Sequence, residues 1–185
     1  MIIVRRYLQG DKTIDYLFIV ADIKTHYYYI AAIIMVVTFI CAGRLSLMRR
    51  IALSLLLPYI FLVFASTVLD RSMDEEAKGV FRLFRDYEEI RKGTELGEYL
   101  KKELTLNILM LVPIGVLVPI IARRKKIIKT VLTALTLSTA IEVTQLATKR
   151  GYFEFDDIFH NTVGALIAAI VTILIMSAFS VMKRE

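Results

Sequence analysis

Polar side chains interrupt the apolar runs in the second half of the sequence at a helical spacing. The first set follows a 4-3-4 spacing and comprises Ser138, Glu142, Gln145 and Lys149. The second set follows the same spacing and comprises Asp157, Asn161, Gly164 and Ala168. Residues three and four apart lie on one face of an α-helix, so each set predicts a single helix face. Gly164 and Ala168 also form a small-xxx-small pair, which lets a neighbouring helix approach closely.

These residue types support three interpretations. Carboxylates in different environments can act as a general acid and a general base, and the catalytic candidates are Glu142, Asp156 and Asp157. The same end of the chain can instead bind a polar or anionic head group, with Arg150 as a bidentate donor. In the third interpretation, Glu142 and Arg150 form a buried ion pair that only specifies helix packing.

We predict no metal and no other cofactor. His160 follows Asp156 by one helical turn, and carboxylates with an imidazole can hold a divalent ion. However, the chain has only two histidines and one cysteine. It also lacks an HExxH motif, a nucleophile elbow and a phosphate-binding glycine loop.

The elements that must position these residues are strongly apolar. Hydrophobic residues make up 57% of the 185 positions, and the mean hydropathy is +0.61, which excludes an ordinary soluble domain. About 20 helical residues cross the hydrocarbon layer of a bilayer, within which the backbone must be hydrogen-bonded locally. The predicted fold is therefore an all-α polytopic membrane bundle of about five transmembrane helices. We place them at Tyr27–Gly43, Ile51–Leu69, Leu104–Ala122, Thr130–Ala147 and Ile158–Met182.

Two further segments are predicted to lie outside the membrane. Residues 1–26 contain a short apolar run at residues 16–21 and are interpreted as an interfacial segment. Residues 70–103 are predicted to contain an outer amphipathic helix, which starts at a capping box of Ser72 and Glu75 and stops at Gly93.

The short loops predict the orientation. Loops 44–50 and 123–129 carry three and five basic residues and no acidic residue, so the positive-inside rule makes that side cytoplasmic. The N-terminus is then outside and the C-terminus inside. The net charge of +6 does not indicate nucleic-acid binding, because these cations lie in short turns between spans.

In this topology, polar residues of three spans lie at the same outer depth. A carboxylate facing lipid would cost about 2.5–3.5 kcal/mol, so these side chains should face the bundle. The predicted binding residues are Asn107, Glu142, Gln145, Arg150, Asp156, Asp157 and Asn161.

Four segments together resemble the VanZ-like family. They are T-V-L-D-R at 67–71, N-I-L-M-L-V-P-I-G-V-L-V-P at 107–119, I-E-V-T-Q at 141–145 and R-G-Y-F-E-F-D-D-I-F-H-N-T-V-G at 150–164. The resemblance identifies residues 67–185 as a VanZ-like membrane domain. The transmembrane helices within residues 27–66 lie outside most of the motif.

The resemblance implies a protein of the bacterial cytoplasmic membrane that contributes to glycopeptide (teicoplanin-type) resistance or to maintenance of the cell envelope. The expected partners are membrane lipid and a lipid-linked cell-wall precursor or lipoglycopeptide, bound at the outward-facing polar site. The alternative is a membrane-embedded acid–base hydrolase or transferase that acts on a lipid-linked substrate. Whether the protein is an enzyme stays open at this point.

Overall fold

The computed structural model describes residues 23–73, 79–81 and 83–182. Helices dominate this part of the chain, and two two-residue strands pair in parallel. In chain order the elements are α1 (Thr25–Cys41), α2 (Leu47–Phe64) continued by a π-helical turn (Ala65–Leu69), β1 (Gly79–Val80), α3 (Arg85–Arg91), α4 (Glu95–Met110), α5 (Val112–Ile121), α6 (Lys126–Ala147), β2 (Phe153–Glu154) and α7 (Phe155–Met182).

Four helices in the described residues are long and apolar enough to span a membrane. They cover Leu47–Leu69, Glu95–Ile121, Lys126–Ala147 and Phe155–Ser180. The predicted all-α membrane bundle is therefore confirmed. All four helices begin three to nine residues before the predicted spans. Hydropathy marks the part of a helix inside the membrane, whereas the helix itself continues into the polar residues beside it.

The shorter apolar helix α1 corresponds to the first predicted span and packs antiparallel to α2. Lys24, just before α1, forms a 3.2 Å ion pair with Asp70, just after the π-helical turn. At the other end, Arg50 Nε donates to the carbonyl of Phe39 at 2.5 Å. With 17 residues, α1 is about 26 Å long, close to the thickness of the hydrocarbon layer.

A proline interrupts the third span between α4 and α5. Pro113 has no N–H, and its ring excludes the regular turn that would precede it, so the helix is broken at Leu111. The Tyr59 hydroxyl donates to the carbonyl of Met110 at 2.5 Å, which satisfies an acceptor at the break. The buried core surrounds this point and includes Leu111 and Ile114.

The small-residue stripe of α7 lies against this span, as the spacing predicts. A Cβ at Gly164 would lie 1.8 Å from the carbonyl oxygen of Ile108 in α4. A Cβ at Gly115 in α5 would lie 2.3 Å from the carbonyl oxygen of Ala165 and 2.5 Å from the Cβ of Ala168. The two helices are therefore in backbone contact, which only glycine permits.

The segment before α4 differs from its prediction. Instead of one helix from Ser72, the structure has the strand β1, a left-handed Phe84 at φ 61° and the seven-residue helix α3. Tertiary contacts override the helical spacing, because Val80 pairs with Glu154 and the Phe84 amide is bound by a carboxylate of α7. The predicted stop at Gly93 is confirmed by its φ of +65°. Glu75 and residues 1–22, including the predicted interfacial segment, lie outside the described residues.

Candidate functional site

The predicted polar residues lie at one end of the bundle, which we call the polar end. It is the end at which the π-helical turn and α6 terminate and α7 begins. Hydrogen bonds from Gln145 to Thr67 and from Asn161 to Ser138 link these elements directly. These contacts bring the polar groups together at one end of the bundle, and their common depth in the membrane stays a prediction.

Asn107, Asp157 and Asn161 form the inner part of the polar end. Asn107 Nδ2 donates to Asp157 Oδ1 at 2.5 Å, which joins α4 to α7. One turn further along α7, Asn161 Nδ2 donates to Ser138 Oγ of α6 at 2.8 Å. Asn161 is 1% exposed, and its Oδ1 has no hydrogen-bond partner among the described residues. A buried amide oxygen without a donor is costly, so this acceptor is open to a ligand or a water molecule.

Glu142 is buried beside these residues. Its Oε2 accepts a hydrogen bond from the backbone amide of Glu154 at 2.8 Å, which holds β2 against α6. Within the described residues it forms no ion pair with Arg150, so the hypothesis of a Glu142–Arg150 pair is wrong. Among the described residues, Arg71 is a cation in electrostatic range of Glu142.

Arg71 is the member of the site that sequence reasoning missed. Burial lowers the pKa of its guanidinium from the ordinary value, and the carboxylates of Glu142 and Asp157 act in the opposite direction. A guanidinium stays charged through such changes, so Arg71 supplies a permanent positive charge to the polar end. A Cβ at Gly151 would lie 2.9 Å from Arg71 Nη1, so the glycine makes room for it. The sequence did contain a signal for this residue, because Arg71 is the last residue of the T-V-L-D-R segment that resembles the VanZ-like family.

Gln145 and Arg150 have a structural partner, namely the end of α2. Gln145 Nε2 donates to the carbonyl of Thr67 at 3.0 Å. Arg150 Nη1 donates to the carbonyls of Val68 and Leu69 at 3.1 and 2.7 Å. The last carbonyls of a helix have no intrahelical donor, and a cation is favourable beside them. These two side chains therefore cap α2 and fix it against α6.

Asp156 faces away from the inner residues and holds the segment before α4. Its Oδ1 accepts from the backbone amide of Phe84 at 2.7 Å. His160, one turn later, is 2.8 Å from the hydroxyl of Tyr87, and the two rings are stacked. Asp156 thus has a structural contact, whereas Asp157 faces the bundle interior, as the helical spacing predicts.

We use the name polar cluster for the inward-facing residues only. Within the described residues, no three histidine, cysteine or acidic side chains are arranged to hold a metal ion. The cluster instead combines accepting carboxylates, amides and one guanidinium. Its members are Arg71, Asn107, Ser138, Glu142, Asp157 and Asn161.

Comparisons with known proteins place this architecture in a family. No match was found among curated proteins or among solved structures. The model of the VanZ/LLP1 family matches residues 27–176, which include all the predicted binding residues and Arg71. The match also includes most of α1 and all of α2, and so extends beyond the four motif segments. Because the match covers most of the chain, this multi-pass membrane protein belongs to the VanZ/LLP1 family.

Proposed function

We propose that the polar cluster binds the polar head group of a lipid-linked cell-wall precursor, and that this binding underlies a contribution to glycopeptide resistance or envelope maintenance. The family is linked to glycopeptide resistance, which is a property of the cell envelope. A head group of this class carries hydroxyl and amide donors, and its lipid tail remains in the bilayer beside the bundle.

The observation that carries the proposal is the buried, unsatisfied acceptor of Asn161 beside two carboxylates. Ionisable groups within a membrane are costly and usually mark function. Carboxylates only accept hydrogen bonds, and so does the free Oδ1 of Asn161, so the cluster suits a ligand rich in donors. Arg71 provides one complementary site for an anionic group of the same ligand.

The proposal also requires the polar end to face the outside of the cell. The basic loops support this orientation, since residues 44–50 and 123–129 connect helices at the opposite end of the bundle. Glycopeptides act on cell-wall precursors outside the cytoplasmic membrane, so an outward site and the family phenotype are mutually consistent.

The test compares two adjacent substitutions that remove the same charge. Asp157→Asn changes the polar cluster, whereas Asp156→Asn changes the contact with Phe84 outside that cluster. We expect Asp157→Asn to weaken binding of a purified lipid-linked precursor in nanodiscs by about tenfold or more, the effect of losing a charge-assisted hydrogen bond. Asp156→Asn should leave the affinity of the folded protein unchanged.

Three outcomes decide the result. Selective loss of affinity in Asp157→Asn supports the binding function, and teicoplanin tolerance of cells producing this variant should fall with it. Equal losses in both variants that track thermal stability would contradict the assignment of Asp157. The third outcome is that the wild-type protein converts the precursor, whereas Asp157→Asn still binds it but no longer converts it. This result would contradict simple binding and would support acid–base catalysis.

A further inference from the structure

A concave site lies on the outer wall of the polar end, between α2 and α6. It is a groove of about 440 Å³. Its wall and rim are formed by Phe64, Val68, Leu69, Met73, Thr144, Ala147, Thr148, Lys149 and Arg150. Gln145 and the Arg150 contacts to α2 separate this groove from the polar cluster, so it is a distinct site.

The groove is divided into an apolar and a cationic part. Phe64 and Leu69 present hydrocarbon, and the lining residues include no carboxylate. The hydroxyl of Thr144 donates its hydrogen to the carbonyl of Ala140 at 2.6 Å. An anion in the groove would therefore receive hydrogen bonds from the cationic side chains and not from this threonine.

Lys149 and Arg150 have unused donors. The Lys149 side chain is exposed and makes no hydrogen bond or ion pair with any described residue. Arg150 uses Nη1 for the carbonyls of α2, and its remaining N–H groups have no acceptor within the described residues. Lys149 also has a φ of 54°, an uncommon conformation for a residue other than glycine. Lys149 and Arg150 both line the groove, so it contains an ammonium and a guanidinium.

We propose that this groove binds one anionic phospholipid of the surrounding membrane. The phosphate is held by Lys149 and the free edge of Arg150, and an acyl chain lies along Phe64 and Leu69. Two arguments favour a lipid over a soluble anion. The groove opens between two membrane-spanning helices, and its apolar wall continues directly from the cationic rim. Basic side chains at a membrane surface attract anionic lipids by electrostatics.

The experiment uses the full chain in vesicles with photoactivatable phosphatidylglycerol, whose diazirine lies close to the glycerol. Crosslinked positions are mapped by mass spectrometry. We expect crosslinks to the groove residues of α2 and α6 and about fivefold fewer in Lys149→Gln, the effect of one basic residue near an anionic lipid. The matched control is Lys125→Gln, because Lys125 has a φ of 53° and precedes the other end of the same helix. It should leave crosslinking at the groove unchanged.

Other results would overturn the proposal. Equal crosslinking by phosphatidylcholine would show that the acyl chain packs there without recognition of net charge. Displacement of the labelled lipid by inorganic phosphate would assign the cations to a soluble anion. If Lys149→Gln crosslinks to the labelled lipid as much as the wild-type protein does, Lys149 does not belong to the site. Asp157→Asn should not alter these crosslinks, so failure here and failure of the polar cluster are distinguishable.

Discussion

Substitution of Gly164 by alanine should separate α7 from α4. The added Cβ would lie 1.8 Å from the carbonyl oxygen and 2.7 Å from the carbonyl carbon of Ile108. These are backbone atoms of a membrane-spanning helix, so no side-chain rotation relieves the clash. Overpacking costs about 1–3 kcal/mol and more where the contact is rigid. Alanine regains about 1 kcal/mol of helix propensity over glycine, so we expect a net destabilisation of about 2 kcal/mol.

The free energy of unfolding is measured by titration with a denaturing detergent in mixed micelles, followed by circular dichroism. Gly43→Ala is the matched control, because Gly43 lies in the loop between α1 and α2 and its Cβ would lie 3.3 Å from one atom, the carbonyl oxygen of Ile40. This control should change stability by no more than about 0.5 kcal/mol. Gly164→Ala should also weaken ligand binding, since moving α7 lengthens the hydrogen bond between Asn107 and Asp157. Equal stability of the two variants would refute the backbone contact.

Three further predictions concern the cap, the outer segment and the orientation. Arg150→Ala should destabilise the protein by about 1.5–3 kcal/mol in the same assay, because carbonyls at the end of α2 lose a charged donor; retention of full stability would contradict the capping function. Tyr87→Phe should speed limited proteolysis of residues 79–93, since the hydroxyl that contacts the α7 imidazole is lost, and an unchanged rate would show that other contacts hold the segment. In a cysteine-free background, an impermeant thiol reagent should label Glu98→Cys and not Ser46→Cys in intact cells; the reverse pattern would invert the proposed orientation.

The class of fold and the location of the polar groups follow from the sequence alone. Hydropathy over about 20 residues is a local property, and each of the five predicted spans is helical, the third as two helices broken at Leu111. Helical spacing likewise placed Asp157, Asn161 and Gly164 on one face, and the structure buries that face against other helices. These conclusions do not depend on which helices pack together. Within the bilayer a spanning segment must be helical, and unpaired polar groups are excluded from contact with lipid.

The partner of each polar group was decided only by the tertiary structure. Gln145 donates to a carbonyl 78 positions away, and Arg150 caps the same helix end instead of pairing with Glu142. Arg71 enters the site because the chain after α2 turns back beside Gly151. The amphipathic spacing of residues 80–87 was overridden by the pairing of β1 with β2 and by the bond between Phe84 and Asp156. Spacing determines which face a residue occupies, whereas the rotation and depth of the neighbouring helices determine what that face contacts.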